Sequence, residues 1–567
     1  MPKVRFKVAL IAVPAALLAG ALTAGGALGR PSAAKAGHRG GTLTMLAKSA
    51  ADTADPMVDY TLQYWQLNQA TYDGLTAYSK SGAGVGTDLV ADLAVAIPKP
   101  QKGGRVWTFK IRKGIRYNNG ATLQPADVKS SFERIFKVKS PTAGSFYSVI
   151  KGSAPCLTKP KTCDLSQGIK IKGQNVTFTL SQPDPEFLAK LALPHASILA
   201  PSTPDKDIAT QVSKIAGTGP YYWASYQPTK AIVLKRNRYF KEWSKTAQPD
   251  GFPDQIVQKF GLEVSDEVTA VINGEADTIF GQDVIPPDRL NEISTKYAKQ
   301  LKIAQLTADW YWALNTQIPP FNNVKARRAL NFAFDRNAAV TNYGGPQLAT
   351  PSCQIIPAGF PGYEQYCPYT KDAAGEGRGP WKGADFAKAK KLVEESGTKG
   401  AAVDVVPAND EVQRNMGQYM QTLLTKLGYK ATLKPLEGGL QYPFVQNSKN
   451  KVEVALSQWY QDYPAASDFL NVLANCRTFV PNSNSSPNIA EFCDKKIDKK
   501  MAQALKLGIT DQKAADKLWA QVDRDVTDQA PWVTMFNPKM TIFLSKRLGN
   551  YVYSSQYNML IDQAWVQ

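Results

Sequence analysis

The chain has 567 residues, several times the length of a typical domain, so a structure with more than one lobe is expected. Hydrophobic residues make up 43% of the chain and charged residues 20%, which argues against disordered, collagenous and polytopic membrane proteins. Lys and Arg number 67 against 48 Asp and Glu, and this formal charge of +19 first suggests a nucleic-acid partner.

The N-terminus has the pattern of an export signal. Basic residues occur within the first seven positions, and the stretch 8–28 that follows is uncharged and mostly apolar. A small-x-small site at 34–36 predicts a signal peptide spanning 1–36, with 22–24 as the alternative site. The apolar stretch is also long enough to stay as an uncleaved anchor. No cysteine precedes Cys156, so we expect a non-lipidated protein.

Export changes the meaning of the positive charge. Residues 1–36 contain five basic and no acidic residues, which leaves 62 basic against 48 acidic residues, or +14, in the exported part. Nucleic acid is not an expected partner outside the cytosol. We interpret the charge as a property of a protein that works beside the anionic cell envelope and membrane surface, in a periplasmic or cell-surface location.

The six cysteines occur as three couples that are close in sequence: Cys156 with Cys163, Cys353 with Cys367, and Cys476 with Cys493. Other pairings are possible, but short loops cost the least entropy to close, so we favour these local pairs as structural disulfides. A metal site is not expected, because the chain has only two histidines to combine with them.

The first clear elements lie between residues 100 and 180. Trp107, Phe109 and Ile111 alternate with polar residues, which predicts a half-buried strand. A helix is predicted from Pro125 to Lys137, with an acid in its first turn and apolar residues at helical spacing. A second strand is predicted around 176–180.

The same alternation continues towards the C-terminus. A strand is predicted to start at Tyr221 after a Gly-Thr-Gly-Pro turn, and a helix follows Pro319-Pro320. Two more helices are predicted at 384–396 and 411–427, each ended by a glycine. Strands and helices therefore interleave, which favours α/β lobes.

Catalytic signatures are sparse. The chain has neither a G-x-S-x-G elbow nor a G-x-x-x-x-G-K-[ST] phosphate loop, and His195 is the main candidate for a general base. Carboxylate pairs of the kind that glycosidases use need only be close in space, so a secreted hydrolase stays as an alternative. We expect a protein that is not an enzyme and has no cofactor.

Several phrases spread over the chain carry a family resemblance. They are "YDGLT" at 72–76, "VWTFKIRKGIRYNNGATLQPADVKSSFERI" at 106–135, "GTGPYY" at 217–222, "LKRNRYF" at 234–240, "LNTQIPPFNNVKARRALNFAFDR" at 314–336 and "WYQDYPAASDFL" at 459–470. From about residue 40 to its C-terminus, the chain resembles the extracellular solute-binding protein family 5, the peptide- and nickel-type receptors of ABC importers.

The resemblance implies a fold with two lobes that close over a ligand. This is an α/β, periplasmic-binding-protein-like fold (type II, cluster C-like) with an inserted third subdomain. We expect lobe I to comprise 37–80, 200–305 and 529–567, the inserted subdomain 81–199, and lobe II 306–528.

The resemblance also implies a function without chemistry. We expect an extracytoplasmic, monomeric receptor that binds a short peptide and delivers it to an ABC permease served by a separate ATPase. An oligosaccharide or another solute is the alternative ligand.

In peptide-binding members of the family, an Asp in such a W-x-x-D-Y phrase pairs with the ligand's α-ammonium and the Trp packs on the ligand. The matching residues are Asp462 and Trp459. The phrase departs from the family in one respect. A second acid often follows the Asp closely in such phrases, whereas here Ala465 and Ala466 precede the next acid, Asp468.

The resemblance places four further residues near the ligand, each of which is also of a type common in protein cores: Asp59, Tyr60, Trp532 and Phe536. The arginines 327, 328 and 336 have three open interpretations: a contact with a ligand carboxylate, solvation at the surface, or an ion pair within a lobe.

Overall fold

The computed structural model describes residues 37–51, 53–373 and 375–567. The chain divides into two units, Met1–His38 and Arg39–Gln567, and all elements given below belong to the second. The predicted signal peptide at 1–36 lies outside the described residues. Within the described ranges, no helix is both long enough and apolar enough to cross a membrane.

Helices and strands alternate along the chain, which confirms the α/β class. The helices are α1 (Leu62–Asn68), α2 (Pro125–Lys137), α3 (Ala154–Thr158), α4 (Phe187–Lys190), α5 (Val264–Asn273), α6 (Pro287–Lys296), α7 (Val324–Ala333), α8 (Arg336–Tyr343), α9 (Phe386–Ser396), α10 (Glu411–Leu427), α11 (Gly438–Gln446), α12 (Ala466–Leu473), α13 (Lys495–Leu507) and α14 (Gln512–Gln529). The strands are β1 (Thr42–Ala47), β2 (Thr76–Tyr78), β3 (Leu89–Ala91), β4 (Val106–Lys110), β5 (Ile169–Lys172), β6 (Asn175–Thr179), β7 (Tyr221–Gln227), β8 (Ala231–Arg236), β9 (Gln255–Phe260), β10 (Thr278–Ile279), β11 (Leu301–Gln305), β12 (Ala308–Leu314), β13 (Ala349–Pro351), β14 (Ala402–Val406), β15 (Lys430–Leu433), β16 (Val454–Tyr460), β17 (Trp532–Phe543), β18 (Leu548–Gly549), β19 (Tyr553–Ser554), β20 (Asn558–Met559) and β21 (Trp565–Val566).

Helix α2 shows why local sequence determines these elements. Pro125 occupies its first turn, and the backbone N–H of Gln124 donates to the carboxylate of Asp127 at 2.9 Å, which satisfies a donor at the helix start. Val128 and Phe132 are fully buried on its inner face. The predicted helix is confirmed with the predicted bounds.

The two large sheets are both of mixed direction. The first has the strand order β10-β1-β9-β8-β7, and the second has the order β11-β17-β12-β16-β14-β15, with β13 also paired to β17. A small antiparallel sheet, β4-β6-β5, contains the strands predicted around 107 and 178.

Strand β12 is buried along its whole length, because the second sheet is covered on both faces. Its residues alternate between two hydrophobic clusters, with Trp310, Trp312 and Leu314 in one and Tyr311 and Ala313 in the other. Trp459, near the end of β16, packs against the second of these clusters, to which α12, α13 and α14 also contribute.

The predicted lobe boundaries stay predictions. Strand β17 pairs with β11, β12 and β13 in the second sheet, and the next residue, Leu544, bridges to Thr278 of the first. Strand β17 therefore belongs to the second sheet, and the residue after it contacts the first sheet.

The predicted disulfide pairing is confirmed. Bonds join Cys156 to Cys163, Cys353 to Cys367, and Cys476 to Cys493. Each closes a short local loop, so none of them links distant parts of the sequence.

Candidate functional site

A cleft of about 430 Å³ lies where the start of α1 faces the end of β16. In the predicted division of the chain these elements belong to lobe I and lobe II. Its described lining is aromatic, polar or aliphatic with a single acid: Tyr60, Thr61, Leu62, Trp65, Gln282, Tyr442, Gln458, Trp459, Tyr460, Gln461 and Asp462. Both the volume and the combination of aromatic rings with a few polar groups suit a small organic ligand.

Asp462 is the acidic group of the cleft. Its side chain is nearly buried, with 5% of the residue exposed. The hydroxyl of Tyr60 donates to both carboxylate oxygens, at 2.7 Å from each. Burial raises the pKa of Asp462 to about 7, although the hydrogen bond from Tyr60 acts in the opposite direction. Near neutral pH this carboxyl group can therefore exist with or without its proton.

A second acid lies beside Asp462 despite the intervening alanines. The chain turns after Asp462, and the backbone N–H of Asp462 donates to Oδ2 of Asp468 at 2.8 Å. Asp468 lies in the first turn of α12 and is completely buried. Burial, with the charge of Asp462, raises the pKa of Asp468 well above its usual range. The sequence spacing thus does not separate the two acids in space.

Aromatic rings surround the Tyr60 end of the cleft. The Tyr60 ring lies 5.9 Å from that of Trp65, and the imidazole of His195 meets both rings edge to face. His195 is fully buried, and burial lowers its pKa to about 3, so it stays neutral and serves as a packing group. These contacts orient the Tyr60 hydroxyl towards Asp462.

Trp459 lines the cleft from the other side. It is half-buried near the end of β16, where its backbone pairs with that of Asp309 on β12. The structure therefore brings together Tyr60, Trp459 and Asp462, three of the residues named from the sequence.

The other three residues named from the sequence are not among the lining residues of the cleft. Asp59 is fully buried, and its Oδ1 accepts hydrogen bonds from the backbone and hydroxyl of Thr61 at the start of α1. Trp532 stacks on Tyr311 at 3.8 Å between ring centroids, inside a hydrophobic cluster. Phe536 is fully buried against the rings of Trp310 and Tyr343. All three are placed as packing or capping residues.

Some lining residues were missed by the sequence analysis. Leu62 and Trp65 lie on α1, which begins just after Tyr60. They are three residues apart and therefore share one face of the helix, and this spacing identifies them once the helix is assigned. Tyr442 has no such local signal, because it reaches the cleft through a tertiary contact in which its hydroxyl donates to the carbonyl oxygen of Gln458 at 2.8 Å.

A second contact joins the two sides next to the cleft. The hydroxyls of Tyr463 and Ser467 both donate to the carboxylate of Glu186, the former at 3.2 Å. The ammonium of Lys190 lies 2.8 Å from Asp184 and 3.9 Å from Glu186. These residues connect the predicted inserted subdomain to predicted lobe II.

Metal ligation has no support in the part of the chain that the structure describes, which contains no group of three or more His, Cys, Asp or Glu able to hold an ion. The arrangement can instead offer a carboxylate and aromatic faces to a ligand amine.

The model of the bacterial extracellular solute-binding proteins, family 5, matches residues 88–479, well over half of the chain. The chain belongs to this family. The resemblance found from the sequence motifs is thereby confirmed. Among curated relatives of this family 5 protein, the probable D,D-dipeptide-binding periplasmic protein DdpA of Escherichia coli K12 is 25% identical over 530 residues, which are 91% of this chain and 92% of the relative.

Solved structures confirm the two-lobed type II fold of this family 5 protein. Clavulanic acid biosynthesis oligopeptide binding protein 2 superposes with a TM-score of 0.81 at 21% identity and covers 93% of this chain and 96% of its own. The DppA protein of Helicobacter pylori was solved in complex with the peptide STSA. It superposes with a TM-score of 0.72 at 19% identity, and the match covers 93% of this chain and 98% of DppA.

Proposed function

We propose that this chain is an extracytoplasmic receptor that binds a short peptide by its terminal amine and delivers it to an ABC import permease. The family and the peptide-binding descriptions of its relatives support this class of ligand. The observation that carries the proposal is the single acid, Asp462, at one end of a cleft lined with aromatic rings.

The chemistry of the cleft favours a cationic amine. A carboxylate with little access to water forms a strong charge-assisted hydrogen bond to an ammonium group. Trp459 and Tyr60 offer ring faces that add cation–π attraction and apolar contact. An arriving ammonium also favours the ionised form of Asp462, whose pKa burial raises to about 7 in the empty cleft.

The proposal includes the expected partners. Closure of the lobes presents a surface to the permease, and transport is driven by a separate ATPase. The receptor acts as a monomer, outside the cytoplasm, without catalysis, cofactor or lipid modification. The contacts of Glu186 with Tyr463 and Ser467 support a closed arrangement of the two sides.

An oligosaccharide is the second candidate ligand. Aromatic faces stack on sugar rings, and the amides of Gln282, Gln458 and Gln461 suit hydroxyl groups. This candidate differs from the first in needing no charge on Asp462.

Calorimetric titration with a defined peptide and its N-acetylated form tests the proposal. We expect the free amine to bind the native protein at least about tenfold more tightly than the acetylated form, and Asp462→Asn to abolish that difference. The matched control is Glu411→Gln, which removes an exposed acid in the first turn of α10, outside the cleft. This variant should keep the roughly tenfold preference for the free amine. Equal losses for both peptides in Asp462→Asn contradict amine recognition, and appearance of a cleaved product contradicts the receptor role.

A further inference from the structure

The cleft lining that the structure describes contains one acidic residue and no basic residue. Apart from Asp462, the lining residues that the structure describes carry aromatic rings, carboxamides, a hydroxyl or an aliphatic chain, and none of them is Lys, Arg or His. A free peptide has two charged ends. Only the amine end finds an opposite charge on these walls.

Two lysines on neighbouring segments of the chain pair with acids of the protein. Lys190 forms ion pairs with Asp184 and Glu186 behind the cleft. On the side of Gln282, the backbone N–H of Lys48 donates to the adjacent Asp283, while Nζ of Lys48 pairs with Glu263 at 3.0 Å.

The three arginines considered from the sequence donate to backbone carbonyl oxygens, and Nε of Arg328 donates to that of Asp528 at 3.0 Å. Arg327 donates to the carbonyl oxygens of Gln529 and Phe321 at 2.8 and 2.7 Å. Arg336 is completely buried and donates to the carbonyl oxygen of Ser352 at 2.7 Å. Both guanidinium groups serve the interior of the protein.

A carboxylate moved from water into such a cleft loses hydration without gaining a counter-ion. That transfer is strongly unfavourable, and amide or hydroxyl donors compensate it only in part. We propose, on the basis of the peptide-receptor function above, that the ligand's C-terminal carboxylate stays outside the cleft in solvent. The receptor therefore selects peptides by the amine end and accepts chains whose C-terminus is extended, amidated or joined to a larger group.

Peptide length provides the test. In a dipeptide the two charges are a few ångströms apart, so binding the amine brings the carboxylate into the cleft, whereas each added extended residue carries it roughly 3.3–3.6 Å farther out. We expect dialanine amide to bind at least about tenfold more tightly than dialanine, and the acid and amide of pentaalanine to bind within about twofold of each other.

Two variants make the comparison sharper. Gln458→Lys adds a cation to the cleft wall and should reverse the preference, so that dialanine binds more tightly than its amide. Gln458→Met, which has a similar length and no charge, should keep the native preference for the amide. Measurements use the full exported chain and calorimetric titration.

The outcomes separate this inference from the function on which it rests. If native protein binds dialanine and its amide equally, or prefers the acid at both lengths, the placement of the carboxylate is wrong while the peptide receptor stands. If free-amine peptides of both lengths fail to bind, or bind no better than their N-acetylated forms, the proposed function itself is wrong.

Discussion

Lowering the pH from about 7 to about 5 should weaken binding of a free-amine peptide roughly 50-fold. The group responsible is Asp462, whose pKa burial raises to about 7. With that value, about half of the molecules carry the carboxylate at pH 7, and only about one in a hundred at pH 5. Since the ammonium binds the ionised form, the first pH unit below 7 costs about fivefold in affinity and the second costs about ninefold.

The sign of the effect follows from the direction of the shift. Below pH 7 the empty cleft holds a proton that the bound ammonium expels, so affinity is greatest above the raised pKa and is lost as the pH falls. A second decline is expected above about pH 8, where the peptide's α-amino group loses its own proton. Titratable groups near Asp462 include Tyr60, Tyr147 and Asp468.

Isothermal titration calorimetry measures this linkage directly. Titrations at about pH 6 in two buffers with different ionisation enthalpies should show release of about 0.9 proton per peptide bound. Asp462→Asn should remove both the proton release and the acidic limb of the affinity profile. An affinity that changes less than about threefold between pH 5 and 7, or an unchanged slope in Asp462→Asn, refutes the reasoning.

Three further predictions concern stability and closure. Arg134→Met leaves the carboxylate of Asp55 buried without its ion pair and should lower the free energy of unfolding in urea by about 3–5 kcal/mol, while Lys48→Met at an exposed pair should change it by under about 1 kcal/mol. Glu186→Ala removes the acceptor of two hydroxyls and should increase the ligand-free radius of gyration in X-ray scattering; an unchanged radius contradicts the closing role. Gly428→Ala places a side chain at φ 96° after α10 and should cost about 1 kcal/mol, measured by the same urea titration.

Local elements were predictable because their signals are local. The alternation around Phe109 and the capped, amphipathic stretch 125–137 determine β4 and α2 without reference to the rest of the chain. The pairing of β17 with strands more than 180 residues away has no such signal, because register depends on tertiary contacts. The sequence pattern alone therefore does not give the sheet to which β17 belongs.

The site was partly predictable for a similar reason. The phrase at 459–462 identified Trp459 and Asp462, but aromatic residue type alone does not distinguish the wall of a cleft from a core. Phe536 illustrates this, because its ring packs completely inside the second sheet's hydrophobic cluster. The spacing between Asp462 and Asp468 departs from the family pattern, but the turn after Asp462 brings its backbone N–H into hydrogen-bond contact with the carboxylate of Asp468.

The hydroxyl of Tyr60 occupies, at Asp462, the position that the ammonium group of a ligand would take under the proposed function. Binding would then replace one donor by another at the same carboxylate, so the net gain at Asp462 is the difference between an ammonium and a phenol as hydrogen-bond donor. Such a replacement keeps Asp462 from being a buried acid without a hydrogen-bond donor. It also makes residue 60 a tuning position, where a weaker phenolic competitor gives tighter retention of cargo and a stronger one gives faster release.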